Sequence, residues 1–165
     1  MNTPPKQKPG KSKQDYGTPW DFFRAVEEKL LNARFDVDLA AHIEKTKVPG
    51  NFIDAKRNSL SINWSNEFAG KLGWLNPEFA DLGTWALKCK SEKGLRVVML
   101  MPASVGANWF MDHVHGNALV IAFGPRLTFE GCKDPYPKDC ILSLWNFIDS
   151  DGKPITGFDV WRWDK

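Results

Sequence analysis

KLGWLNPEFADLGTW, residues 71–85, is the stretch on which the reading of this chain turns. A short apolar run, Leu72 to Leu75, breaks at Asn76-Pro77-Glu78-Phe79. Apolar residues then return at Leu82, Trp85, Ala86 and Cys89, one face of a helix that Gly94 closes. The local order is therefore strand, corner, helix. The corner is unusual because it ends a buried strand with an amide, a proline and an aromatic, where a Gly or Asp turn would be ordinary.

Working outward, the same alternation repeats. Thr18-Pro19 followed by WDFFRAVEEKLLN places Phe22, Val26 and Leu30 four apart with Phe23 and Leu31 beside them, a helical stripe with Pro19 in the first turn and Thr18 as its cap. RFDVDLAA alternates Phe35, Val37 and Leu39 with charges, which predicts a strand. The segment from His42 to Asn63 is polar with one apolar pair, Phe52-Ile53, and has no readable period. LRVVMLMPA is a continuous apolar run, the pattern of a strand covered on both faces; NWFMDHVHG is a short helix and ALVIAF another buried strand. KDCILSLWNF is a further strand that continues through Asp151-Gly152 into ITGFDVWRW, a hairpin signal. Buried strands alternating with helices predict an α/β fold, one sheet with helices on both faces and an antiparallel C-terminal hairpin. Ligands gather at the carboxyl ends of strands in such sheets, so Asp38 to Ala41, Asn76 to Phe79 and Pro102 to Ser104 are expected to share one edge.

Composition bounds the rest. With 42% hydrophobic and 13% aromatic residues, 165 residues suffice for one packed core. The formal charge is +2, but Lys6, Lys8, Lys11 and Lys13 all precede the first acid, Asp15, and without those four the body stands at −2. The division expected is a basic tail, 1–14, too poor in apolar residues to fold, and one domain, 15–165. That tail reads either as a solvated segment or as an arm that meets nucleic-acid phosphates. Cys89, Cys132 and Cys140 are widely spaced and lack a CxxC pair, which argues against zinc or a disulfide framework and implies a reducing compartment. His113 and His115, two apart, fall on different faces of a helix and read as packing or surface residues, so no metal is expected. No apolar run approaches the 18 or so residues of a membrane span, and no signal peptide is visible, so the expectation is a soluble intracellular protein without a membrane partner. Oligomeric state leaves no signal.

An asparagine at a strand end offers an amide oxygen, and the proline after it fixes φ and aims its own carbonyl. Two acceptors can then face one exocyclic amino group, orienting the nitrogen lone pair, while Phe79 offers a face for a planar base. A base inside a duplex reaches such a corner only if it is rotated out of the stack.

NPEF resembles the [D/N/S]-P-P-[Y/F/W] motif of amino-group methyltransferases. More specifically, YGTPWDFF, FDVDLAA, WLNPEFADLGTWALKC, VVMLMPASVGANWF, GPRLTF and DPYPKDCILSLW resemble, in that order, the compact phage-type DNA adenine N6-methyltransferase family across roughly residues 16–147. The resemblance implies a Rossmann-like methyltransferase sheet, S-adenosylmethionine as cofactor, DNA as partner, and transfer of a methyl group to adenine N6 in a bacterial host cytoplasm, with phage or prophage origin. It implies that Asn76 and Pro77 hold the target amino group and Phe79 stacks on the base. Thr18-Pro19 would lie near the methionine end of the cofactor and Asp38, Leu39 and Ala40 at its methionine and ribose side. Two departures stand out: Glu78 replaces the motif's second proline, and DVDLAAH lacks the glycines of the common FxGxG loop.

The residues also admit plainer readings. Asn-Pro is commonly just a turn, Thr18-Pro19 an ordinary helix start, Asp38 a surface acid, and Arg126 either a phosphate contact or half of a structural ion pair. DPYP, residues 134–137, has its aromatic third rather than fourth and reads as a loop. A non-catalytic nucleic-acid-binding descendant, or methylation of cytosine N4 or an RNA base, remain open alternatives at this level.

Overall fold

The computed structural model describes residues 16–165. Six strands form one mixed sheet in the order β1-β2-β3-β5-β4-β6: β1 Val37–Asp38, β2 Leu72–Leu75, β3 Arg96–Pro102, β4 Ala118–Gly124, β5 Cys140–Trp145 and β6 Gly157–Arg162. β1, β2 and β3 run parallel; β5 is antiparallel to both β3 and β4, and β6 is parallel to β4. Apolar runs without alternation make this sheet because it is covered twice. Leu75, Val97, Met99, Met101, Val120, Ile141 and Trp145 pack on one face, under α3 Leu82–Ser91 and α4 Asn108–His113. Leu72, Trp74, Val98, Leu100, Ile121, Leu142 and Leu144 pack on the other, under α1 Trp20–Ala25 and the π-helical turn Val26–Leu31 that continues it. A four-residue helix, α2 Trp64–Glu67, sits under the first face.

The single α/β sheet with helices on both faces is as the sequence predicts, and the C-terminal hairpin is not. Asp149 to Lys153 does turn, with Ile155 N–H donating to the Phe147 carbonyl at 2.8 Å and one antiparallel bridge, Ile148 to Pro154. The strands then part, because both edges of β5 are already paired, to β3 and to β4. β6 can only add to the free edge of β4, and does so in parallel.

Thr18 does not cap α1. The N-cap is Pro19, without a side-chain hydrogen bond, and the Thr18 hydroxyl is engaged elsewhere. β1 is only two residues long, yet it is held from both sides: Leu39 N–H donates to the Trp74 carbonyl, and Asp38 exchanges backbone bonds with Asn51 and Ile53. The unreadable segment thus returns alongside β1, anchored by Ile53 in the core. Leu39 packs over Gly73, where a Cβ would lie 2.5 Å from Leu39 Cδ1, so any larger residue there would force the buried Leu39 side chain to shift.

Candidate active site

Asn76 follows the last residue of β2, at the carboxyl edge of the parallel strands, half-buried. Its amide nitrogen donates to the Tyr16 carbonyl at 2.6 Å and to Thr18 Oγ1 at 3.0 Å. A carbonyl can only accept, so these contacts fix which side of the amide is nitrogen. The other side, Oδ1, is buried and has no hydrogen-bond partner among the described residues. A buried acceptor left unpaired costs on the order of 1–3 kcal/mol, so folding alone gives no reason to hold one at a strand tip.

A second orphan lies nearby. Asp38 is 4% exposed; its Oδ2 accepts from Thr46 Oγ1 at 3.1 Å and Lys47 N–H at 3.0 Å, while Oδ1 has no partner among the described residues. Burial pushes this carboxyl above the usual carboxylate range, offset in part by those hydrogen bonds, by the approach of the Ala40 backbone N–H and by the Lys47 charge. Asp38 and Asn76 line one small inner pocket of about 40 Å³ with Thr18, Ala40 and Lys47. It opens beside an outer chamber of about 490 Å³ whose walls include Asn76, Pro77, Glu78, Ile53, Asp54 and Trp85. Residues 53–59 supply much of that wall, although their polar sequence carries no period by which to find them. Pro102 to Ser104, expected at this edge, line neither chamber; Ala103 N–H is bonded instead to the Asp139 carbonyl at 2.9 Å, toward the start of β5.

Of the other expected cofactor residues, Ala40 lines both chambers, whereas Leu39 is fully buried in the core and Pro19 lines neither. Phe79 begins a 3-10 turn, Phe79–Asp81, and sits half-buried against three more rings. Tyr16, Phe79, Phe129 and Tyr136 all lie within 5.0 to 6.1 Å of one another, centroid to centroid. Tyr136 comes from DPYP, so the loop that looks uninvolved in the sequence places its aromatic on Phe79. Glu78 is exposed at the rim. Lys6, Lys8, Lys11 and Lys13 lie outside the described residues. Arg126 Nε donates to Asp139 Oδ1 at 2.9 Å with both side chains at least half exposed, a pair that is weak and easily exchanged for a phosphate. His113 packs under the sheet, its backbone carbonyl accepting from Trp145 Nε1 at 3.2 Å. Among the described residues no three His, Cys, Asp or Glu side chains converge as a metal set, and no helix is long and apolar enough to cross a membrane. The three cysteines are free, and burial raises the thiol of Cys140 to about 12, far from a reactive thiolate.

A family model described as DNA N-6-adenine-methyltransferase (Dam) matches residues 6–138. No curated protein sequence matches significantly. Among solved structures, the chain is similar to the Type IIL restriction-modification enzyme MmeI, solved in complex with DNA, at 13% identity and a TM-score of 0.38, over 67% of this chain and 21% of that one. The chain thus spans about a fifth of that enzyme's length.

Proposed function

The chain belongs to the DNA N-6-adenine-methyltransferase family, and from that premise we propose that it moves a methyl group from S-adenosylmethionine to the N6 amino group of adenine in DNA. The observation that carries the proposal is Asn76: its donors are tied down and its remaining polar atom is a buried, unpartnered acceptor in the wall of the cleft. An acceptor placed this way suits an amino group and repels a carbonyl.

The residues around the cleft fit the cofactor. A chamber of about 490 Å³ lies within the range of small-ligand sites. Asp54 and Glu78 supply negative charge and Trp85 an aromatic wall, which suits a sulfonium cation. The inner pocket, with the unpaired Asp38 Oδ1, suits an ammonium group. When bound, the cofactor supplies an electrophilic methyl group at the chamber.

The chain's own residues do the rest. Asn76 Oδ1 accepts one proton of the target amine and the Pro77 carbonyl the other, which turns the nitrogen lone pair toward the methyl carbon. Tyr16 and Thr18 hold the Asn76 amide so that no reorganisation is needed when the base arrives. The outward part of Phe79 meets the base plane, with Tyr16 and Tyr136 bracing the ring. Transfer is direct, and the proton leaves the nitrogen after the bond forms. Because Asn76 is half-buried, a paired base must leave the duplex to reach it.

The test is nucleoside mass spectrometry of DNA from cells expressing the protein or its Asn76→Ala variant. N6-methyladenine is expected with the first and background with the second. Its absence with the wild-type protein overturns the proposal, and N4-methylcytosine in its place changes the acceptor.

A further inference from the structure

The geometry points to Lys47 as the anchor for the carboxylate of the cofactor's methionine end, with Asp38 beside it taking the ammonium. This rests on the methyltransferase reading above and names a residue that the motif does not. Lys47 stands in the stretch 42–63 that carries no sequence pattern, and its side chain is only 3% exposed. A lysine buried to that degree needs partners. It has two: Glu130 Oε1 at 2.8 Å and the face of Trp20, with Nζ 4.4 Å from the ring centroid. Its backbone N–H donates to Asp38, and it lines the same inner pocket.

That pocket, about 40 Å³ against about 490 Å³ for its neighbour, suits a small polar group. It presents a carboxylate oxygen of Asp38 that has no partner among the described residues, and Lys47 is part of its wall, with an ammonium that gives one of its three donors to Glu130 and lies over the Trp20 ring. A carboxylate acceptor beside an ammonium donor is the complement of an α-amino acid zwitterion. Asp38, Lys45 and Lys47 in the wall and the Glu130 paired with Lys47 sum to zero charge, so what fits a zwitterion is the placing of an acceptor beside a cation rather than a net charge. Glu130 holds the place of a carboxylate on Lys47, and the fold keeps it there: Glu130 N–H donates to the Gly17 carbonyl at 2.9 Å, and a Cβ on Gly17 would lie 2.5 Å from Glu130 Oε2. The ligand carboxylate joins or displaces Glu130 on the ammonium.

Calorimetric titration of the full chain with S-adenosylmethionine and with its decarboxylated analogue tests this. The analogue keeps the sulfonium and the amine and lacks only the carboxylate. The wild-type protein is expected to prefer the complete cofactor by about tenfold or more, the worth of a charge-assisted hydrogen bond. Lys47→Met should abolish the preference by weakening the complete cofactor alone. Because this variant strands Glu130, the Lys47→Met/Glu130→Gln double variant removes both charges and keeps the comparison available if the single variant folds poorly. Glu130→Gln alone should tighten the complete cofactor and leave the analogue unchanged. Lys45, which also lines the inner pocket, serves as control. The inference is overturned if the preference survives in the double variant, if it disappears in Lys45→Met instead, or if the wild-type protein binds both ligands equally. Failure to bind either ligand would sink the methyltransferase reading itself, a different outcome.

Discussion

Two asparagines at opposite ends of the sheet do the same work with their amide protons and different work with their oxygens. Asn146, one residue past β5, donates from Nδ2 to the carbonyls of Glu92 and Leu95, each at 2.7 Å, and so ties the end of α3 to the start of β3. Asn76, one residue past β2, donates from Nδ2 to Tyr16 and Thr18 and so ties the first described segment to the sheet edge. Both side chains join pieces of chain more than 50 residues apart. Of the two, it is Asn76 whose Oδ1 is buried and without a partner among the described residues. The donors are architecture. The leftover acceptor, with its counterpart on Asp38, marks the place where a ligand completes the hydrogen bonding that the fold leaves open.

The sharpest break of this comparison is to remove each asparagine. Asn76→Ala is expected to lower methyl transfer by on the order of 100-fold or more, because one preorganised group at the reacting nitrogen is gone. Its melting temperature should change little, since the unpaired oxygen leaves together with the two bonds. Asn146→Ala should do the reverse: two carbonyls lose their donors at a cost of about 1–3 kcal/mol, with turnover per folded molecule retained. Thermal unfolding alongside single-turnover methylation separates them. A collapse of the fold in Asn76→Ala with normal turnover in the remaining folded protein would make the two residues equivalent.

Next in size is the aromatic corner. Phe79→Ala should weaken productive use of DNA by about 1–3 kcal/mol, the range for one base stacked on one ring, while Phe79→Tyr stays close to wild type. Tyr136 makes the useful contrast, since it touches Phe79 from a different loop. Tyr136→Ala should raise the KM for DNA more than it lowers kcat, because it braces the stacking ring without touching the amine. Equal loss of thermal stability in both variants, with no change in KM, would reduce the cluster to packing.

A smaller effect follows from the charge on Asp38. Burial raises its folded pKa above that of the unfolded chain, so its neutral form is favoured on folding. The sign is therefore that stability from this group is full below the unfolded carboxylate pKa and is lost as pH rises through the raised folded value. Cofactor binding should run the other way, strengthening over the same interval as the carboxylate ionises and meets an ammonium. In Asp38→Asn the stability profile from acid to neutral pH should flatten, and cofactor affinity should fall about tenfold and lose that dependence. An unchanged profile by thermal unfolding would mean that Asp38 is not the titrating group.

What the sequence reveals here divides along the same line as the two asparagines. β2, β3, β4 and β5, α3 and the corner itself are legible, because apolar period and a proline are local signals. Pairing is not local: the turn at Asp151-Gly152 is real, but whether β6 can join β5 depends on β3 and β4 having already taken both its edges. The site follows that rule. Asn76 is visible as a residue, whereas its clamp on Thr18 spans 58 positions, Lys47 reaches Glu130 across 83, and Tyr136 reaches Phe79 from a loop without the motif's spacing. Thr18 reads as a helix cap in the sequence because a hydroxyl before a helix usually is one; the competing partner is out of reach of any short-range pattern.

The smallest effect is expected at Glu78, and it tests whether the corner works with acceptors alone. Glu78 stands where the motif it resembles has a second proline. Its φ of −58° is already the value a proline ring imposes, and its backbone N–H donates no hydrogen bond among the described residues. Glu78→Pro should therefore fit without strain and stabilise by about 0.4–1 kcal/mol through the unfolded chain, with turnover equal or slightly higher. The carboxylate is exposed at the rim of the chamber, where solvent and salt screen its charge. Glu78→Gln should accordingly leave the single-turnover rate within about twofold and improve DNA affinity slightly at low salt, a gain that fades as salt rises. A base at this position has nothing to do if the proton leaves after the methyl bond has formed, because the methylated nitrogen is then strongly acidic and water can take it. Should Glu78→Gln slow the single-turnover rate as far as Asn76→Ala does, the proton would have to leave during transfer, and Glu78 rather than the unpaired oxygen of Asn76 would be the group that limits the reaction.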